Sequence, residues 1–354
     1  MPTKINKGGE QQNYVPSGNG DASGEYTNEA GANKNFKQFK KQDETSQSFN
    51  AVNKMRTGKV SMPKEEVKEA SKPLPQTMEE WEKAVHEKKQ HTPPFNPMKM
   101  SSKEAPIEKV DAEAIDKTIK NPDFKGYKDL EEVVGKAAKL IQSYEGSIDA
   151  TSEMLESLAS QNGGVMVGLE YRLKTLPSLT RKIYTEVSEQ RANGNKNYGY
   201  DDAIADMKDV GRFTMVFDES NFVDGVNKTL DYLESQGYKI TKFKSTFDGG
   251  KTYKGLNVNF VDKNGVKYEL QFHIPASMKV KEGIEVDVAK KSAYINKELY
   301  TSHDIYETTR LIEKEINDGT ATPQRIKLKK QLEKMAEAQW SKVPNIKIER
   351  QLKQ

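Results

Sequence analysis

The stretch YKITKFKSTFDGGKTYKGLNVNFVDKNGVKYELQFH, residues 238–273, decides the fold. It holds three runs, 238–245, 255–261 and 266–273, in which polar and apolar residues alternate as in half-buried strands. The last two are joined by Asp262-Lys263-Asn264-Gly265, and Asn-Gly between alternating runs predicts a hairpin. Upstream, residues 211–217 (GRFTMVF) read as another strand. Phe222, Val226, Leu230 and Leu233 then share one face of a helix that stops before Gly237. Further out, Leu130, Val133, Val134, Ala137, Ala138 and Ile141 predict an amphipathic helix. Ile148, Met154, Leu155 and Leu158 predict a second, ending near Asn162-Gly163-Gly164. Val165, Val167, Leu169, Tyr171 and Leu173 alternate, which predicts a strand. The helix after it has Pro177 in its first turn and Leu179, Ile183 and Val187 on one face. The chain is helical from Thr301 onward, most strongly over 323–340. The expected class is α+β, a small mixed β-sheet flanked by helices.

Composition sets the outer limits. The chain has 354 residues, 34% of them hydrophobic, and a mean hydropathy of −0.86. A chain this polar is expected to leave a large part unfolded. Residues 1–105 read as a disordered arm: Ser17 to Gly24 is rich in Gly, Ser, Asn and Asp, and Lys, Gln, Asn and Glu dominate the residues beyond it. Within the arm, Thr77 to Glu87 suits a helical turn or two around Trp81 and Val85, and Thr92 to Pro97 reads as a stiff connector. The folded domain is expected at 106–320, with a helical extension at 321–354. The net charge of +3 argues against a general polyanion binder. The absence of cysteine excludes disulfides and thiolate chemistry. No apolar run approaches the roughly 18 residues of a membrane span, and Met1 to Glu10 lacks a signal core, so a soluble, cytoplasmic chain without a membrane partner is expected.

Four polar clusters stand in order between Arg172 and Gln271. Arg172, Lys174, Ser178 and Lys182 lie where a strand feeds a helix N-terminus, which suits a phosphate cradle. Asp209 and Arg212 stand at the entry to the strand 211–217, where an acid can bind Mg²⁺ and an arginine a phosphate. Tyr253 and Gly255 offer an aromatic platform and a close backbone approach. Glu269, Gln271 and His273 alternate along one strand, and Lys242 and Lys244 share one face of another. Each cluster alone has a plainer reading: solvated charge, a salt bridge, a turn tyrosine, the wet face of a sheet. Other signals fall short. His303-Asp304 lacks the further His and Asp ligands of a phosphohydrolase, Thr57-Gly58-Lys59-Val60 is an incomplete P-loop, and the Gly-rich start has no strand before it.

The ordered clusters resemble the synthetase domain of the RelA/SpoT nucleotidyltransferases, which include alarmone synthetases and related toxins; the resemblance covers about residues 125–315. It implies that Arg172, Lys174, Ser178, Lys182 and Arg212 bind the phosphates of an ATP donor. It implies that Asp209 and Glu269 hold Mg²⁺, with Asp209, Glu269 and Gln271 as the catalytic set. The acceptor side falls to Lys244, Tyr253, Gly255, Asn257 and His273, and the family's later His-x-x-Tyr looks like His303 and Tyr306. The implied reaction moves the β,γ-pyrophosphate of ATP to a ribose 3′-hydroxyl, releasing AMP.

Two departures touch the acceptor and metal sides. The chain has Thr252-Tyr253-Lys254-Gly255-Leu256-Asn257 where alarmone synthetases show Gly-Tyr-x-Ser/Gly-Leu-His, and Asp209 stands closer to Arg212 than in that family. The wording looks closer to divergent toxin-like or phage-associated members, so the expected acceptor is a guanosine or adenosine nucleotide or a tRNA 3′ end. On that reading the partners include a neutralising antitoxin or a phage particle, and the chain acts in the cytoplasm, in a virion or after delivery into a target cell. The rival expectation is a virion-associated or effector binding protein with an inactive synthetase-like domain. A third is nucleic-acid binding through Arg325, Lys327, Lys329, Lys330 and Lys334.

Overall fold

Five strands form one mixed sheet in the order β1-β2-β5-β4-β3, where β1 is Gly164–Met166, β2 Gly211–Phe217, β3 Lys239–Ser245, β4 Leu256–Val261 and β5 Lys267–His273. This is a computed structural model that describes residues 74–91, 101–251 and 253–352. β2 and β5 are parallel, and the remaining pairs are antiparallel. The predicted hairpin joins β4 to β5. Asp262 Oδ1 accepts from the backbone N–H groups of Asn264 and Val266, and Gly265 adopts the positive φ that this turn requires.

The period of two gives the sheet two unlike faces. One carries the cross-strand row Phe213–Leu270–Val258–Phe243, beside Met215–Phe272–Leu256. That face is covered by helices α4 (Ile148–Gln161) and α7 (Phe222–Ser235), whose Leu155, Leu158, Phe222, Val226, Leu230 and Leu233 are buried as their spacing predicts. Packing here is close enough to specify glycine. A Cβ on Gly164 or on Gly225 would stand 2.5 Å from the ring of Phe217, which fills the gap between them. The other face of the sheet is polar and carries the site.

The remaining helices frame that polar face. α3 (Leu130–Gln142) and α6 (Tyr200–Asp206) pack against α5 (Leu176–Ala192), which buries Leu179, Ile183 and Val187. Beyond β5, α8 (Pro275–Glu282) leads into the hairpin of β6 (Ile284–Asp287) and β7 (Ser292–Ile295). α9 (Ser302–Asn317) and α10 (Pro323–Trp340) pack together. Asp304 caps α9: its carboxylate accepts from the backbone N–H and hydroxyl of Thr301, and it also pairs with Lys89 at 2.7 Å. The His-Asp dipeptide is thus a helix cap on its acidic side. No helix among the described residues is long and apolar enough to cross a membrane.

Three expectations need correction. The strand expected over 165–173 stops at Met166, because Gly168 turns the chain with φ +71° and Leu169–Tyr171 form a 3-10 turn. After the turn, chain and sheet meet again around Leu173, bridged to Gly211, where Arg212 N donates to the Arg172 carbonyl at 2.8 Å. The arm expected over 1–105 includes an ordered helix, α1 (Met78–His91), whose Trp81 is buried against Tyr300 and donates through Nε1 to Thr308 Oγ1 at 2.8 Å. A second helix, α2 (Ala112–Ile119), comes after it with Asp111 as its N-cap. Residues 1–73 and 92–100 of that arm, including Thr92 to Pro97, the Gly-rich start and Thr57 to Val60, lie outside the described residues. Finally, α10 is no appendage: Leu328, Leu332 and Trp340 are fully buried in the main core. Replacing Trp340 with Ala is expected to lower stability by about 3–5 kcal/mol, read as a shift in the urea unfolding midpoint.

Candidate functional site

Strand register builds the site. On the polar face, Arg212 of β2 pairs with Glu269 of β5, which pairs with Asn259 of β4, which pairs with Lys242 of β3. The next row is Thr214, Gln271, Asn257 and Lys244. Two cavities open on this face. One, of about 380 Å³, is lined by Lys182, Asp206, Asp209, Lys242, Asn259 and Glu269. The other, of about 340 Å³, is lined by Tyr171, Arg212, Thr214, Lys281, Glu282 and His303. The Arg212–Glu269 pair stands between them, one residue facing each.

In the first cavity Asp209 is clamped by cations. Its Oδ2 lies 3.3 Å from Lys174 Nζ and accepts a short hydrogen bond from Lys182 Nζ. Burial pushes this carboxyl up, but the two ammonium groups outweigh burial and hold it below the usual carboxylate range. Lys174 moves the other way: burial lowers it, and Asp209 only partly restores it. The second oxygen of Asp209, Oδ1, is buried with no hydrogen-bond partner among the described residues. A buried carboxylate oxygen without a partner carries an unmet demand for a cation or donor. The plainer reading of Asp209, a salt bridge, is met by Lys174 and Lys182 and not by Arg212. Arg212 is half-buried on β2, and its guanidinium makes no ion pair among the described residues.

Arg172, expected beside Lys174, is elsewhere. It caps the 3-10 turn with helical dihedrals, φ −63° and ψ −20°, so strand alternation does not aim it with Lys174. Its guanidinium is buried, donating to the carbonyls of Ala105 and Leu169 and to Asp149 Oδ1 at 2.8 Å. It anchors the backbone and does not reach a cavity. Ser178 is exposed on the first turn of α5, one turn before Lys182, and Lys244 is exposed on β3.

Tyr253 lies half-buried over the polar face. Its hydroxyl donates to Asn257 Oδ1 at 3.0 Å and stands 3.3 Å from His273 Nε2, and its ring meets Trp340 edge-on at 5.5 Å. Gly255 does not open the backbone to a ligand, as expected from sequence. A Cβ there would stand 2.4 Å from the Tyr253 hydroxyl, so the glycine admits the tyrosine itself. His273 is also withdrawn. It is fully buried, with Nδ1 2.9 Å from Ser277 Oγ, and burial, with Lys281 beside it, holds its imidazole well below the usual range. Lys254 is buried as well, and its ammonium binds the carbonyl of Val343 and Asn345 Oδ1 at 2.7 Å, tying the C-terminal tail to this loop.

Sequence reasoning missed Lys281 and Glu282, which stand in the last turn of α8 and line the second cavity. Their one signal was the distance from β5, a single short helix away. Of the expected basic stretch on α10, Arg325 is buried in a bidentate pair with Glu315 at 2.8 and 2.6 Å, and Lys329 pairs with Glu313 and Glu333. Lys327, Lys330 and Lys334 remain exposed. His303 joins the second cavity through Glu282, whose carboxylate lies 3.1 Å from its Nδ1. Tyr306 is exposed, with the Arg310 guanidinium 5.7 Å over its ring.

Glu282 and His303 form a pair with a predictable pH window. Burial pushes Glu282 up, but the hydrogen bond from His303 and the charge of Lys281 outweigh it and hold the carboxyl at about 2. His303 is raised by its hydrogen bond to Glu282, against burial. A depressed Glu282 adds stability above its ordinary 4.5, lost as pH falls toward about 2. A raised His303 adds stability below its ordinary 6.5, lost as pH rises through its folded value. Both contributions are complete between 4.5 and 6.5. The histidine is half-exposed, so screening limits its share to about 0.5–1 kcal/mol. His303→Gln is expected to be less stable than wild type by that amount near pH 5.5, with the gap narrowing by about pH 8.5, measured by urea unfolding at both.

No family model and no curated protein matches the chain. Solved structures do. The type VI effector Tas1, solved with its immunity protein, is 19% identical, covering 61% of this chain and 96% of its own at a TM-score of 0.32. The small alarmone synthetase 1 of Bacillus subtilis, bound to its product pppGpp, is 13% identical, covering 45% and 70% at a TM-score of 0.25. A GTP pyrophosphokinase family protein from Streptococcus pneumoniae is 16% identical, covering 62% and 89% at a TM-score of 0.26. An alarmone synthetase and a GTP pyrophosphokinase family protein thus stand among the structural neighbours.

Proposed function

We propose that the chain is a pyrophosphotransferase that moves the β,γ-pyrophosphate of ATP to a hydroxyl of a nucleotide or of a tRNA 3′ end. The observation that carries this reading is the Arg212–Glu269 pair set between two cavities, with Asp209 and Lys182 lining one of them and Lys174 paired to that Asp209. A transfer between two nucleotides needs two adjoining pockets and, at their junction, a base and a cation.

Asp209 and Glu269 fit a Mg²⁺ ion. They line one cavity, Asp209 Oδ1 lacks a partner among the described residues, and Mg²⁺ is commonly held by one or two carboxylates together with substrate phosphates. No group of three acidic or histidine ligands exists among the described residues, so the phosphates would complete the shell. When bound, the ion would neutralise charge on the transferring group. The residues themselves do the rest. Lys174 and Lys182 would exchange their hold on Asp209 for donor phosphate oxygens, and Arg212 would hold phosphate from the second cavity. The acceptor hydroxyl oxygen attacks the β-phosphorus, the bond from that phosphorus to the α–β bridging oxygen breaks, and AMP leaves with that oxygen. Glu269 takes the hydroxyl proton. Tyr253, with Asn257 beneath its hydroxyl, would support the acceptor.

The test uses ATP labelled on the γ-phosphate, Mg²⁺, and in turn GDP, GTP, AMP, ADP, ATP and bulk tRNA. The expected result is label on one acceptor with matching AMP release. Glu269→Gln is expected to lower kcat by about 10²–10⁴-fold, and Arg172→Met to leave KM for ATP unchanged while lowering stability by about 1–3 kcal/mol. Intact ATP with every acceptor would overturn the reading and leave a binding role.

A further inference from the structure

Gln271 is buried in the wall between the two cavities, and both ends of its amide are committed. Its Nε2 donates to Glu269 Oε2 at 3.0 Å, and its Oε1 accepts from Lys281 Nζ at 2.9 Å. An ammonium has donors only and a carboxylate acceptors only, so a single orientation of the amide satisfies both neighbours. With Lys281 absent, the Glu269 carboxylate is the amide's one remaining partner among the described residues, and the Gln271 side chain loses the contact that holds its other end in place.

The fold makes this arrangement by a short return. β5 delivers Glu269 and Gln271, the chain turns at Ile274, and α8 brings Lys281 back over the strand ten residues after Gln271. Lys281 is only 18% exposed and lies 3.4 Å from Glu282. It lines the second cavity while Glu269 lines the first, so the chain of hydrogen bonds crosses the wall between them.

We propose that Lys281 is a positioning residue that acts through Gln271: it fixes the amide so that its N–H groups hold the Glu269 carboxylate in one orientation. The proposal rests on the reading of Glu269 as proton acceptor where it concerns rate, and on geometry alone where it concerns the amide. A residue working this way changes turnover more than substrate affinity, because misplacing a reacting group is felt in the transition state.

The experiment uses the full chain with ¹⁵N-glutamine labelling, the Gln271 side-chain amide being assigned by its loss in Gln271→Met. In wild type this amide is expected to exchange slowly with solvent. Lys281→Met is expected to shift it and speed its exchange at least about tenfold, while Lys281→Arg retains it. In the transfer assay, Lys281→Met is expected to lower kcat by about 10- to 100-fold with KM within about twofold, and Lys281→Arg to recover most of it. The double variant Lys281→Met/Gln271→Met should cost no more than Gln271→Met alone, as expected when one residue acts through the other. An unchanged amide signal in Lys281→Met, or additive losses in the double variant, would overturn the proposal. Should Lys281→Met fail to fold by circular dichroism, Lys281→Gln replaces it under the same criteria. An amide that responds as expected in a chain that transfers nothing would uphold the positioning geometry and reject pyrophosphate transfer.

Discussion

Parallel pairing of β2 with β5 is the contact on which the candidate site depends. It sets Arg212 beside Glu269 and Thr214 beside Gln271, and the same register sets Phe213 beside Leu270 on the opposite face. Because side chains alternate, a slip of one residue would exchange the two sets and carry the charges into the core. The phenylalanines and leucines packed on α4 and α7 therefore hold the polar row in place. Chemistry on one face is fixed by hydrophobic burial on the other.

Much of this was legible in the chain. Alternation over 266–273 and the Asp262–Gly265 turn fixed β5 and its hairpin, and the three- and four-residue spacing fixed α3, α5 and α7. Of the residues singled out, Lys174 and Lys182 meet at Asp209, Lys182, Asp209 and Glu269 line one cavity, and Arg212 stands beside Glu269 in the sheet. What sequence could not supply was direction. Arg172 has the right spacing but helical dihedrals, so it points into the protein. Gly255 has the right identity for a ligand approach, yet the space it opens is filled by Tyr253. Lys254 and Lys281 gave no signal, since nothing local indicates that a distant carbonyl or amide awaits their ammonium groups. Trp81 of α1 was visible, with Val85, as the centre of a helical turn or two, while its partners lie more than two hundred residues away, at Tyr300 and Thr308.

The C-terminal part of the chain braces the loop that carries Tyr253 and Lys254. Trp340 closes α10 against the Tyr253 ring, and Lys254 reaches the tail at Val343 and Asn345. Arg350 then pairs with Asp231 and Glu234 on α7, on the opposite side of the sheet. The tail therefore links the loop that presents Tyr253 to the helix that covers the apolar face. Buried polar groups of this kind are satisfied by one arrangement only, which rigidifies the loop that they hold.

β3 ends the sheet, and among the described residues no strand pairs with its outer side. It carries Lys239, Lys242 and Lys244, and a bulge interrupts its register between Ile240 and Lys242. Charged side chains and a bulge on a terminal strand discourage another chain from adding to the ladder. Two of these lysines stand in the cross-strand rows of the polar face, so the same charges keep that face polar and guard the rim of the sheet. Neutralising them would leave an unprotected strand edge, and self-association of the protein would follow.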